Sequence, residues 1–164
     1  MKFSKILCLC VLLMQCTLGE CFAQSQSFGG IDSRAKEEQM QIQMHFGGQS
    51  FVLGLENNAV AKEFYALLPL SLNFSDYVGK EKIAKLDTRL SAQEGVEYEP
   101  QSGDFFYFVP WGNVGLFYAK QPPYPGVIKL GSIKGARKSF VAQLKAQKQD
   151  FILTIEKYPS EKQR

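Results

Sequence analysis

The sequence predicts a mainly β domain, an antiparallel barrel or sandwich that carries two helices. Three observations lead there. Residues 39–46 alternate strictly between polar and apolar side chains, many short β-prone runs follow at close spacing, and only two stretches have helical periodicity.

In the first of these runs Met40, Ile42, Met44 and Phe46 share one side, which is the period of a strand with one buried face. Gly47-Gly48 offers a tight turn, and residues 51–55 resume the β pattern, so a hairpin is expected. Asn57 or Asn58 can then cap a helix by accepting from an orphan backbone N–H. Val60, Phe64, Leu67 and Leu68 fall on one helical face, and Pro69 ends it. Leu70, Leu72 and Phe74 alternate again, Gly79 breaks the run, and residues 82–86 make a further short strand. Residues 88–103 hold Pro, Gly and charges, with a weak strand at 96–98. Residues 104–109 are the most β-prone of all, and a turn at Pro110-Trp111-Gly112-Asn113 leads into 114–118. Prolines make 121–126 a loop, 127–133 reads as a strand, 136–145 as a basic amphipathic helix and 151–155 as a last strand. A closed barrel would leave no exposed sheet edge, which suits a domain without disulfides.

That absence of disulfides follows from the N-terminus. Lys2 and Lys5 precede an apolar run at 6–18, and Cys21-Phe22-Ala23 places small residues at the −3 and −1 positions of a cut before Gln24. Residues 1–23 therefore read as a cleavable secretory signal. The run is shorter than the roughly 20 residues that span a bilayer, so an uncleaved anchor ranks second. A lipid anchor on Cys16 or Cys21 ranks lower, because Gln15 and Glu20 stand where lipoprotein processing wants a small residue. All four cysteines lie inside this segment. The mature protein, expected in the periplasm or outside the cell, must hold together by packing alone and cannot use thiolate chemistry. Residues 24–38 read as a flexible spacer, 39–158 as the domain and 159–164 as a disordered tail.

Without residues 1–23 the chain has 17 basic and 15 acidic residues, too balanced for a nucleic-acid partner. Charge is uneven along it, with 9 basic against 3 acidic residues from Lys129 onward. Two differently solvated faces explain this more simply than a site for an anionic partner.

An ordered series of short segments carries a resemblance: Leu67-Leu68-Pro69-Leu70-Ser71-Leu72, Asp76-Tyr77 with Gly79, Glu81-Lys82-Ile83-Ala84, Gly103-Asp104, Pro110-Trp111-Gly112-Asn113, Phe117-Tyr118 and Leu130-Gly131. Together they resemble a bacterial family of cyclophilin-like fold proteins, over about residues 41–157. The resemblance implies a closed antiparallel cyclophilin-like barrel of about eight strands with two helices covering its ends. It implies little about activity, since fold alone does not confer function.

Prolyl isomerisation is the activity such a fold brings to mind. Catalytic cyclophilins carry an arginine in a Phe-His-Arg run, and this sequence departs from that pattern. Its one histidine, His45, is followed by Phe46, and Arg34, Arg89, Arg137 and Arg164 lie in no such run. One histidine without cysteines is a poor basis for zinc, and a nucleophile elbow Gly-x-Ser-x-Gly is missing. No catalytic residue, metal or cofactor is assigned. Trp111 stands out because a turn between Pro and Gly is an unusual place for a large apolar side chain; it is either a plug over the barrel mouth or a wall of a ligand cleft. The candidate ligand-binding residues are Phe74, Tyr77, Glu81, Trp111 and Tyr118. Glu81 and Lys82 must point to opposite faces of their strand, so one of them can point inward, although an ordinary surface pair is the plainer account. The aromatic residues 105–108 read most simply as core. The expectation is an exported module for an unidentified small ligand or peptide segment, with no nucleic-acid partner and no stable membrane insertion after signal cleavage. The alternatives are a divergent peptidyl-prolyl cis-trans isomerase and an interaction module using the basic C-terminal face.

Overall fold

The computed structural model describes residues 39–92 and 98–159. The signal at 1–23, the spacer at 24–38 and all but the first residue of the tail at 159–164 lie outside the described residues, as does most of the weak strand at 96–98.

Eight antiparallel strands close into a barrel in the order β1-β2-β7-β5-β6-β4-β3-β8. They are β1 (Gln41–Phe46), β2 (Gln49–Leu55), β3 (Leu70–Tyr77), β4 (Glu81–Lys85), β5 (Asp104–Phe108), β6 (Asn113–Phe117), β7 (Val127–Ile133) and β8 (Phe151–Lys157). Helix α1 spans Ala59–Ala66 and α2 spans Arg137–Ala146. The resemblance implied this architecture, and it holds.

The alternation in β1 does what its period requires: Ile42, Met44 and Phe46 are buried inside the barrel, and His45 faces outward with Nδ1 2.8 Å from the Ser50 hydroxyl. Asn58 caps α1, its Oδ1 accepting from the Ala61 N–H at 2.8 Å. The helix turns Phe64 onto Phe105, with ring centroids 5.0 Å apart, where β2 ends and the barrel would otherwise open. Helix α2 closes the other end, where β1 ends and β2 begins, by setting Phe140 against Phe46 and Phe51. Each such buried aromatic contributes on the order of 1.5–3 kcal/mol.

Closure needs one very close approach. A Cβ on Gly131 of β7 would lie 2.4 Å from the main-chain oxygen of Gly54 in β2. Only a glycine lets the two strands meet there, and their pairing completes the ring through Leu55 and Gly131.

Strands β5 and β6 are apolar on both faces. Phe105 and Tyr107 point into the barrel, whereas Phe106 and Phe108 point out, where Phe106, Phe117 and Val127 form a second, smaller apolar cluster. The expectation that 105–108 is simply barrel core is therefore half right. Continuous apolar runs mark strands covered on both sides, and the outer cover here leaves a cavity.

Candidate functional site: an aromatic cavity on the outer barrel wall

The cavity measures about 350 Å³. Its floor is the outer face of β5 and β6, from Phe106 and Phe108 to Asn113 and Phe117. The ring of Phe106 lies on that of Phe117 at 4.1 Å and 18°, over a space that Gly115 leaves open. A Cβ at Gly115 would meet the Phe106 ring at 2.3 Å. One wall is the β3–β4 turn with Tyr77 and Val78, and the other is the loop with Gln121, Pro122 and Tyr124.

Trp111 is 49% exposed, stands at the rim, and is held from below. The Arg89 guanidinium donates to the main-chain oxygens of Val109 and Pro110, both at 3.2 Å, and the Gly112 N–H donates to Phe108 O at 2.9 Å. Its indole meets Tyr77 and Phe108 edge-on, each at 5.3 Å between centroids, and Phe108 meets Tyr124 at 5.9 Å. Such edge contacts orient rings without filling the space between them.

Of the sequence candidates, Tyr77, Glu81 and Trp111 come together as lining of this cavity. Phe74 does not. It is fully buried within the barrel, stacked on Phe151 at 6.0 Å. Strand side chains alternate faces, so residues three apart, such as Phe74 and Tyr77, cannot share one. Tyr118 follows the outward Phe117 and turns the other way, its hydroxyl donating to Asp76 Oδ1 at 2.5 Å. Burial first, and then that contact, push the phenol up to about 12.

The pair Glu81–Lys82 splits as parity demands. Lys82 points inward and is 2% exposed, with Nζ 2.7 Å from Asp76 and 2.6 Å from Gln147 O. Asp76 is held below its ordinary value by Lys82 first and then by the Tyr118 hydroxyl. Glu81 points outward into the cavity, where burial pushes its carboxyl up to about 7 against the pull of Lys80. Nearby, burial raises the Tyr98 phenol, and the charges of Asp104, Glu81 and Glu56 raise it further.

Two buried polar atoms, Asn113 Oδ1 and Tyr98 OH, have no hydrogen-bond partner among the described residues. Asn113 lines the cavity. No lysine or arginine lines it among the described residues. Arg89 is committed to the Trp111 turn, and Arg137 donates to Ser102 O. The described residues hold no cluster of His, Cys, Asp or Glu that could bind a metal, and no helix long and apolar enough to cross a membrane.

Sequence reasoning missed Phe106, Phe108, Asn113, Phe117 and Tyr124. The first four were within reach, because an unbroken aromatic strand beside an all-buried one must cover something on its outer side. Tyr124 had no signal beyond an aromatic among prolines.

A closed barrel with helical ends and an aromatic cavity on its outer wall defines a cyclophilin-type domain. Residues 44–156 match the model of the Cyclophilin-like family, and the chain belongs to that family. No curated protein matches. Among solved structures, the hypothetical protein AF2241 from Archaeoglobus fulgidus is similar, with 15% identity, a TM-score of 0.51, and coverage of 73% of this chain and 95% of its own. McbB, solved in complex with tryptophan, is similar at 12% identity and a TM-score of 0.58, over 74% of this chain and 45% of McbB. At these identities the likeness is one of fold.

Proposed function

We propose that this is an exported cyclophilin-like domain that binds a small apolar ligand or peptide segment in its outer cavity and does not isomerise prolyl bonds. One observation carries the reading: aromatic side chains wall an open cavity of about 350 Å³, and no guanidinium enters it from the described residues. The size fits the lower end of small-ligand sites, which are mostly apolar with a few polar groups. Prolyl isomerisation instead needs a strong donor aimed at the twisted amide, and losing such a donor typically costs on the order of 10²–10³ in rate. Export is supported by the ordered charged, apolar and small-residue regions of 1–23.

Trp111 is the chain's one tryptophan and therefore its own reporter. Titration with 2-phenylethanol and with a blocked Phe-Pro dipeptide is expected to change its fluorescence saturably, while a proline tetrapeptide isomerises at the uncatalysed rate. Isomerisation above background that disappears in Arg89→Ala would favour the divergent isomerase. A Trp111→Ala variant that loses stability but still binds, measured by calorimetry, would make Trp111 a structural plug.

A further inference from the structure

We propose that the ligand of this cavity is an organic ammonium, an apolar amine whose charged nitrogen meets Glu81 while its hydrocarbon lies among Tyr77, Phe108 and Trp111. The inference rests on the reading that the cavity binds a ligand at all, and adds the ligand's charge.

Glu81 carries the cavity's one carboxyl group among the described lining residues, and no cation stands within ion-pair distance of it among the described residues. The acids beside the cavity differ in this: Asp76 has Lys82, and Asp104 and Glu56 share Lys129. A carboxylate withdrawn from water without a partner is costly. That cost is visible in its raised proton affinity. A ligand that brings the missing positive charge removes it.

The walls point the same way. Aromatic faces are electron-rich and attract ammonium groups, the more so where water is excluded. The second polar group is also an acceptor in want of a donor, since Asn113 is 6% exposed and its Oδ1 is unpartnered among the described residues. In the ladder Glu81 stands opposite Phe117, whereas Asn113 is four residues away along β6. At about 3.4 Å per residue their backbone positions stand roughly 14 Å apart along the strand. The cavity thus has an acceptor toward each end of β6 and aromatic side chains in its lining. An anion would find no donor from a lysine or arginine there, and a neutral hydrocarbon would leave the Glu81 carboxylate unmet.

Groups around Glu81 set how it responds to pH. Lys80 precedes it in the β3–β4 turn, Tyr77 pairs with it from β3, and Tyr98 approaches from the segment before β5. Tyr118, just past its β6 neighbour Phe117, also feels its charge. Lys80 is the cation of this group. Glu81, with its carboxyl pushed up to about 7, changes charge between pH 6 and pH 8.

The test is calorimetric and fluorescence titration of the purified protein with three matched probes: phenethylammonium, 2-phenylethanol and phenylacetate. At pH 8 the ammonium is expected to bind at least tenfold more tightly than the alcohol, and phenylacetate more weakly than either. Affinity for the ammonium should rise by up to about tenfold from pH 6 to pH 8, since alkylamines keep their proton there as lysine does. In Glu81→Gln the ammonium should bind no more tightly than the alcohol, with no rise over that pH range. Equal binding of alcohol and ammonium by the unaltered protein overturns the proposal and leaves the binding function standing. So does an ammonium preference that survives in Glu81→Gln. If none of the three probes binds, the proposal falls, and the binding function falls with it only if the blocked Phe-Pro dipeptide also fails to bind.

Discussion

Lys82 Nζ donates to the main-chain oxygen of Gln147, the residue that caps the C-terminus of α2, at 2.6 Å. The same ammonium pairs with Asp76 at 2.7 Å and stands 5.4 Å from the Tyr118 ring centroid. The negative end of a helix and a carboxylate together offset the cost of burying a cation. One side chain thereby joins β4, the end of β3 and the helix that closes the barrel.

Lys82→Ala should therefore destabilise the domain by about 2–4 kcal/mol, because it strands both partners as well as opening space. Urea unfolding would show it as a lower midpoint with an unchanged slope. Lys82→Met, which keeps the hydrocarbon stem, should recover part of the loss. An unchanged midpoint in Lys82→Ala would mean that the contact is incidental to α2.

Asp76 and Glu81 predict opposite pH limbs. The Asp76 carboxyl is held below its ordinary 3.8, so the stability it contributes is present above that value and is lost as pH falls through the lower, folded one. Glu81 runs the other way. Its proton is held up to about 7 against an ordinary 4.5, so the native state binds more protons between those values and stability falls as pH rises. Above 7 the loss levels off, at on the order of 1–2 kcal/mol once screening is allowed for. Unfolding measured at pH 5, 6 and 8 should show this decline, and Glu81→Gln should flatten it.

Gly131→Ala should cost at least about 2 kcal/mol, because its Cβ would meet backbone rather than a side chain that can turn away. A drop in melting temperature larger than for alanine at Gly48, whose Cβ would meet nothing within 4 Å, is the expected comparison. Equal effects at the two sites would show that the strand approach at Gly131 costs no more than the left-handed backbone of Gly48, at φ +74°.

Expression in an exporting bacterial host should yield a chain beginning near Gln24 by intact mass. Its melting should be indifferent to reductant, since all four cysteines precede that point. Retained Met1, an added lipid mass or a reductant-dependent shift would refute cleavage.

Most of the fold was legible in order along the chain. Alternation at Met40, Ile42, Met44 and Phe46, the Asn58 cap and the stop at Pro69 are local signals, and local backbone preferences satisfy them without help from distant residues. Even the division of Glu81 from Lys82 was implicit, because neighbours in a strand face opposite ways. The same parity separates Phe74 from Tyr77, a distinction that the aromatic character of both conceals.

What the sequence determined by itself was where strands and helices begin and which residues alternate along them. Tertiary structure decided which face of each strand is inside. For Phe105 and Phe106 the choice cannot be read locally, since both are aromatic and both end up buried. It depends on the ring closing through β2 and β7, and on a distant loop bringing Tyr124 over Phe108. The surroundings of Glu81 are likewise tertiary, since its ladder partners Tyr77 and Phe117 come from β3 and β6. A carboxyl's proton affinity depends on how much water its neighbours exclude, and those neighbours come from strands far apart in the chain.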